Sequence, residues 1–358
     1  MKVENDITPK KKVLFFLQNG VGGAERMTIN IAKMLNKNDF DIHFIIIGKD
    51  KKPIVSFIPD TYDVRWLYIK RMRQFATCKI IKLLNKEKPD IVFASVMYLN
   101  VRLIIASKLI GGIKIIIRND NSLMLISGIT KKLVKFTYNL ADTIIAQQDE
   151  MADEIRALPK MMYSKVVTLY NPIDAKLIEE KLCEAESPYH GDSNVNIVNV
   201  ANVSERKGQD VLLMAFNSFH KINKNSHLYF IGDANNTDYL KLLESYIELH
   251  GLEGYVHFLG FTNNPYVWMK YADCFVLSSR LEGLPNALIE ASYLKVPLVS
   301  TMCVPVVSKI VNDGYNGYVV PVDDYEAMSD AMSKAIALKN FDMVYSSSSE
   351  EDYCKLFY

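Results

Sequence analysis

Short runs of apolar residues recur along the chain, and between them the apolar positions fall at three- and four-residue spacing. Uninterrupted runs mark strands buried on both faces, and the wider spacing marks helices laid against them; in alternation they predict parallel sheets covered by helices. In the first half the strand candidates are 13–17, 42–47, 64–68, 91–94, 113–118, 143–146 and 166–170; in the second half they are 196–200, 227–231, 256–259, 274–277, 297–300 and 317–319. Each series is compatible with a doubly wound, Rossmann-like α/β domain. The rhythm pauses from about Asp174 to Ser193 and restarts at Asn194. The expected division is an N-terminal domain over 1–185, a C-terminal domain over 186–345, and a segment 346–358 that opens with four serines and carries a terminal helix able to cross back to the first domain.

A length of 358 residues agrees with two cores rather than one. In open α/β sheets ligands bind beyond the carboxyl ends of the strands, so two such domains facing each other predict one cleft, with the chemistry in the loops that follow strands. With 49% hydrophobic and 23% charged residues the chain is an ordinary globular protein. Its net charge of +1 conceals an asymmetry. Residues 1–185 carry 30 Lys and Arg against 20 Asp and Glu, or +10, and the remainder carries 12 against 21, or −9. Two readings stand: the basic half faces an anionic membrane surface or phosphorylated lipid, or the two halves attract each other. No apolar run reaches the ~18–20 residues that span a bilayer, and the Lys-rich start is not followed by a signal-peptide core. The expectation is a cytoplasmic protein, open to peripheral association with the inner face of the cell membrane. The five cysteines are scattered, without a CxxC pair, so neither a disulfide framework nor a zinc site is expected.

Three loops carry candidate chemistry. After the first strand comes Asn19-Gly20-Val21-Gly22-Gly23-Ala24-Glu25-Arg26, then a helical pattern. Glycines here let backbone approach a ligand, and helix-start amides suit an anion, although a plain tight turn explains the loop nearly as well. In the second half, Ala201-Asn202-Val203-Ser204-Glu205-Arg206-Lys207-Gly208 follows a strand. Its two cations could stabilise a departing diphosphate; a solvated charged turn is the alternative. The third loop is Ser278-Ser279-Arg280-Leu281-Glu282-Gly283-Leu284-Pro285-Asn286-Ala287-Leu288-Ile289-Glu290-Ala291. Pro285 and Asn286 suit a helix start, so amides near Gly283, Leu284, Pro285 and Asn286 can face phosphate or sugar oxygens, while Glu282 and Glu290 sit at different depths and can accept bonds from two sets of hydroxyls.

This third stretch resembles the Glu-x7-Glu signature of retaining glycosyltransferase family four, the group 1 glycosyltransferases, with Glu282 and Glu290 at its acidic positions. The resemblance extends from Val13 to about Met328. Gly22-Gly23-Ala24-Glu25 resembles the family's first glycine loop, Tyr170-Asn171-Pro172-Ile173-Asp174 its Asn-Pro-x-Asp, and Ser204 to Asp210 its Lys-Gly donor loop; Ile231-Gly232-Asp233 and Phe258-Leu259-Gly260-Phe261 match strand ends that border the nucleotide. It implies the GT-B fold, two Rossmann-like domains facing across a cleft, and transfer of a hexosyl or N-acetylhexosaminyl group from a UDP- or GDP-sugar with retention. It places Lys207 on the diphosphate, Glu282 and the Gly283–Asn286 amides on the donor sugar, and Glu290 on the ribose; Gly22, Gly23, Asn202, Arg206, Gly232 and Asp233 complete the donor side.

Three departures limit the carry-over. Asn202 stands where the family commonly has arginine, no histidine occurs between His43 and His190, and Val304-Pro305-Val306-Val307-Ser308-Lys309 replaces a Gly-Pro-x-Glu. No cofactor or metal is expected, since no His/Cys cluster occurs, and the positive charge falls to Lys207 and helix amides. On the acceptor side, residues 68–89 carry Lys70, Arg71, Arg73, Lys79, Lys82, Lys86 and Lys88 among Phe75, Ile80, Ile81, Leu83 and Leu84, joined by Lys131, Lys132 and Lys135. This segment fits an anionic bilayer, or equally a helix packed on the sheet with a solvated basic face. A lipid-linked saccharide acceptor in cell-surface polysaccharide or glycolipid assembly is the favoured expectation, with Arg118 and Asn119, after the strand 113–117, as acceptor contacts. The alternatives are a nucleotide-sugar 2-epimerase and an inactive sugar-nucleotide-binding protein. No nucleic-acid-binding signature occurs.

Overall fold

The computed structural model describes residues 9–20, 22–48, 53–69, 76–120, 122–183, 185–189 and 194–358. It divides into two units, Met1–Pro172 with Ser347–Tyr358, and Ile173–Ser346.

In the first unit the order is β1 (Lys11–Gln18), α1 (Gly23–Met34), β2 (Phe40–Ile47), β3 (Asp63–Leu67), α2 (Ala76–Glu87), β4 (Ile91–Ala94), α3 (Met97–Ile110), β5 (Lys114–Asn119), α4 (Gly128–Thr137), β6 (Thr143–Ala146), α5 (Asp149–Arg156) and β7 (Val166–Thr168). The strands pair in parallel in the order β3-β2-β1-β4-β5-β6-β7, with Phe15 opposite both Phe44 and Phe93. Alternation along β1 builds two cores. Leu14 and Phe16 join one face with α2 to α5, and Val13, Phe15 and Leu17 join the other with α1. Both faces are covered, which is why residues 13–17 read as one apolar run.

The second unit contains α6 (Ala175–Leu182), β8 (Val195–Val200), α7 (Gln209–Ile222), β9 (Ser226–Ile231), α8 (Thr237–His250), β10 (Val256–Gly260), α9 (Pro265–Lys270), β11 (Cys274–Leu277), α10 (Asn286–Tyr293), β12 (Leu298–Thr301), β13 (Gly317–Val320) and α11 (Tyr325–Ala335). Its parallel order is β10-β9-β8-β11-β12-β13.

The break after Pro172 falls earlier than the expected 185. Helix α6 follows no strand of its own, so the strand rhythm does not mark it, yet it is bonded into the second unit: Asn264 Nδ2 donates to the Lys181 carbonyl (2.8 Å) and Tyr293 Oη to Glu179 (2.7 Å). The last helix, α12 (Glu350–Cys354), belongs to the first unit. It starts on a capping box in which the Ser349 hydroxyl accepts from the Asp352 N–H and the Asp352 carboxylate accepts from the Ser349 N–H. Phe357 just beyond it stacks on Phe15 and Phe93 at 5.8 and 5.9 Å between ring centres, and Tyr353 Oη donates to the Leu169 carbonyl (3.2 Å).

Each sheet reverses its order once, between β1 and β4 and between β8 and β11. Loops leaving the two central strands diverge there and open a crevice.

Candidate functional site

In the second unit the two loops at the reversal are those that follow β8 and β11, and the structure brings their charged residues into contact. Lys207 Nζ donates to Glu282 Oε1 at 2.5 Å, Arg206 Nη1 to Glu282 Oε2 at 3.1 Å, and Ser279 Oγ to Glu282 Oε1 at 2.6 Å. Glu282 is buried, and Arg206 remains half exposed. Two cations thus share one carboxylate, and neither holds it exclusively. An arriving diphosphate can compete with Glu282 for Lys207 and Arg206 while Ser279 continues to hold the acid.

The backbone enforces this contact. Gly208 adopts φ +66°, and a Cβ there would lie 2.1 Å from the Ser278 carbonyl oxygen, so only glycine lets the first loop approach the second. Ser278 Oγ donates to the Lys207 carbonyl (2.9 Å), the Arg280 N–H to the Arg206 carbonyl (2.8 Å), and Arg206 Nη1 to the Leu281 carbonyl (2.8 Å). Behind them Arg280 forms a two-pronged pair with Asp210 (3.0 and 2.7 Å) and reaches Asp323 (2.7 Å), while Tyr239 Oη donates to Asp210 (2.7 Å). Burial works to raise the Asp210 carboxyl, but the bonds from Arg280 and Tyr239 outweigh it and hold the acid below its ordinary value. Sequence reasoning missed Arg280, Asp210 and Ser279. Their only signal is position, directly after a strand or at a helix start.

The other donor-side residues lie at neighbouring strand ends. Asn202 Oδ1 accepts from the Asp233 N–H (3.2 Å), and its carbonyl accepts from Gln209 Nε2 (3.2 Å), so the amide joins the ends of β8 and β9. Gly232 packs so tightly that a Cβ would sit 2.3 Å from the Ala201 oxygen. Helix α10 begins at Asn286 with Pro285 as its cap, and amides of its first turn are already engaged, Asn286 N–H donating to the Leu284 carbonyl (3.0 Å) and Leu288 and Ile289 N–H to the Pro285 carbonyl (3.0 and 3.2 Å). Glu290 is half-buried on the same helix, one turn beyond its start. Cys303 is a buried thiol, pushed up to about 11 by burial and the Glu282 charge.

In the first unit, Gly22 and Gly23 open α1 at the end of β1. The Glu25 carboxylate folds back to the Gly22 N–H, and burial raises its pKa. Thr28 and Ser95 hydroxyls meet at 2.6 Å across the β1–β4 reversal, and burial, with Glu25 close by, pushes the Tyr98 phenol up to about 12. Arg118 and Asn119, expected to touch an acceptor, are fully buried instead. Arg118 donates to Asn171 Oδ1 (2.6 Å) and is hydrogen-bonded to Tyr353; Asn119 accepts from Tyr138 Oη (3.0 Å) and Gln147 Nε2 (2.9 Å). Their polar groups brace the interior because β5 continues under cover to its last residue. Of the basic stretch 68–89, Ala76, Ile80 and Leu84 of α2 are buried against the sheet, and Lys79, Lys82 and Lys86 form an exposed row. Lys70, Arg71, Arg73 and Phe75 lie outside the described residues. In α4 only Val134 and Thr137 are buried, and Ile129, Leu133 and Phe136 stay exposed with Lys131, Lys132 and Lys135.

The chain carries an Asp-x-Asp, Asp39-Phe40-Asp41, at the start of β2, the end of the sheet opposite the ligand loops. Asp39 accepts from Tyr358 Oη (2.5 Å), and Asp41 lies 2.8 Å from His43 Nε2. Among the described residues no group of three or more His, Cys, Asp or Glu is arranged to hold a metal ion.

Two doubly wound parallel units in one chain are the architecture of the GT-B class of α/β proteins. Comparison with known proteins agrees. The Glycosyltransferase Family 4 model matches residues 21–177, and that of Glycosyl transferases group 1 matches 186–351. An uncharacterised glycosyltransferase of Methanocaldococcus jannaschii is 30% identical over 270 residues, 71% of this chain and 65% of the relative, so the match spans just under two thirds of that protein. The capsular polysaccharide biosynthesis glycosyltransferase CapH of Staphylococcus aureus is 25% identical over 81% of each chain. A Campylobacter jejuni enzyme, N-acetylgalactosamine-N,N'-diacetylbacillosaminyl-diphospho-undecaprenol 4-alpha-N-acetylgalactosaminyltransferase, is 24% identical over 89% of this chain and 88% of its own. In fold, the chain superposes on Anabaena HepE in complex with UDP and glucose with a TM-score of 0.73, at 19% identity over 91% of this chain and 92% of HepE. The chain belongs to the GT-B glycosyltransferases, with a family 4 first part and a group 1 second part.

Proposed function

We propose that this glycosyltransferase moves a sugar from a nucleoside diphosphate sugar to a lipid-carried saccharide, with retention at the anomeric carbon, in cell-surface polysaccharide assembly. The observation that carries the donor side is the Lys207–Glu282 contact at the β8–β11 reversal. A diphosphate leaving group gains negative charge as the C1–O bond breaks, and a cation already fixed beside it stabilises that state without reorganisation. Lys207, with Arg206, fills this role. Glu282 accepts from donor-sugar hydroxyls, and Glu290 from the ribose. The acceptor oxygen bonds to C1 as C1 leaves the phosphate oxygen, and the acceptor proton passes to a donor phosphate oxygen, so no side-chain base is required.

Support for the wider setting comes from relatives. HepE was solved with UDP-glucose, CapH is named for capsule biosynthesis, and the Campylobacter jejuni enzyme's name specifies a diphospho-undecaprenol saccharide. The test is turnover of UDP- and GDP-sugars with and without undecaprenyl-diphosphate saccharides, with the product anomer read by NMR. Transfer with retention, undiminished by a metal chelator, is the expected result. A new sugar nucleotide formed without acceptor supports a 2-epimerase instead, and donor binding with no transfer to any acceptor supports an inactive sugar-nucleotide-binding protein.

A further inference from the structure

The turn that carries both cations, Glu205–Lys207, is a single 3-10 turn, too short to hold itself. All three of its carbonyls accept from the loop after β11: Glu205 from Arg280 Nη1 (2.5 Å), Arg206 from the Arg280 N–H (2.8 Å) and Lys207 from Ser278 Oγ (2.9 Å). Arg280 supplies two of the three, and it does so from a fixed base. Its guanidinium grips both oxygens of Asp210, in the first turn of α7 (3.0 and 2.7 Å), and its Nε donates to Asp323 in the turn before α11 (2.7 Å). Asp210 is braced in turn from α8, where Tyr239 Oη donates to its carboxylate (2.7 Å) and accepts from its N–H (3.0 Å). The planar fork meets acceptors in three directions at once, which a single ammonium does not reproduce.

The two cations depend on this support unequally. Arg206 is tied to the loop after β11 by its own side chain, at the Leu281 carbonyl (2.8 Å) as well as at Glu282. The Lys207 ammonium rests on Glu282. Once a diphosphate draws Lys207 off that acid, the backbone of its turn fixes where its stem begins, so a loosened turn is felt first at Lys207. We propose that Arg280 is a positioning residue of the donor site: anchored on Asp210, it holds the 205–207 turn where Lys207 meets the leaving diphosphate. The inference rests on the proposed donor chemistry and adds to it a residue that acts through Lys207.

The experiment is a double-mutant cycle on the full chain, read by calorimetric binding of UDP and of GDP. Lys207→Ala should weaken whichever diphosphate binds wild type by roughly 10- to 100-fold, the worth of a hydrogen bond to a charged group. Arg280→Lys keeps a cation beside Asp210, so circular dichroism should show the fold intact, yet affinity should fall about tenfold because the Glu205 carbonyl is released. With Lys207→Ala already in place, Arg280→Lys should change affinity by less than about twofold, since nothing is left for it to position. Asp210→Asn keeps the shape of the anchor and removes its charge, and it should give the same cycle whether or not Arg280→Lys folds. Arg280→Lys and Asp210→Asn that bind as wild type does, or that lose the same factor with and without Lys207, would show a merely structural role and overturn the inference while the donor reading stands. Unchanged binding in Lys207→Ala, or no binding of either diphosphate by wild type, overturns the donor reading and the inference with it.

Discussion

At the reversal in the second unit the loops are tied by charge, Lys207 and Arg206 to Glu282 and Arg280 to Asp210, whereas in the first unit the ties are a Thr28–Ser95 hydroxyl pair and aromatic packing underneath. The strand order is the same over six strands, and the first sheet adds a seventh, β7. One reversal is crossed by ion pairs, and the other holds a hydroxyl pair beside a buried acid of raised pKa that accepts from the Gly22 N–H. A shared fold therefore specifies where a ligand sits and leaves its chemistry to a few loop residues.

The largest expected effect tests the packing under the first crevice. Phe357→Ala removes a ring buried against Phe15 and Phe93, and chemical denaturation should show a loss of about 3–5 kcal/mol. An unchanged midpoint would mean that α12 does not support β1 and β4. Next, Lys207→Ala should lower kcat by roughly 10²–10³ and weaken donor binding, measured by steady-state kinetics and calorimetry. Glu25→Gln should leave donor affinity alone, and equal effects from the two changes would erase the contrast between the crevices. Gly208→Ala should cost about 1–3 kcal/mol through left-handed strain and the clash with Ser278, and should lower turnover by displacing Lys207.

The smallest effect is in pH dependence, where the two crevices should respond with opposite sign. Glu25 is raised above 4.5 in the folded state, so as pH falls toward 4.5 the native form takes up its proton first and stability rises; it is lost again as pH climbs through the folded value. Asp210 is lowered below 3.8, so its stabilisation is present above 3.8 and is lost as pH falls through its folded value. Melting curves across acidic pH should show both trends in wild type, lack the first in Glu25→Gln and lack the second in Asp210→Asn. Parallel curves for all three would break the comparison.

Much of the fold was legible because parallel strands covered on both faces have to be apolar throughout, and residues 13–17 and 274–277 read as strands for that reason alone. The Lys207 and Glu282 loops were legible as strand-to-helix connections carrying charge. Arg280 and Asp210 were not, since an arginine after a strand and an aspartate opening a helix are ordinary until folding sets them 2.7 Å apart. Arg118 shows the reverse error. A cation at a strand end reads as a contact for ligand, and only packing reveals that Asn171 and Tyr353 occupy it.

By itself the sequence determined two series of strands and helices, a basic first half, and loops that bring glycine, lysine and glutamate to strand ends. These are local properties, written in the period of apolar positions and the residue types between them. Only the tertiary structure decided that α6 joins the second unit and α12 the first, that α2 buries its apolar face while α4 leaves its own uncovered, and that Asn202 links two strand ends. Those outcomes depend on which surfaces meet, and residues far apart in the chain settle that together.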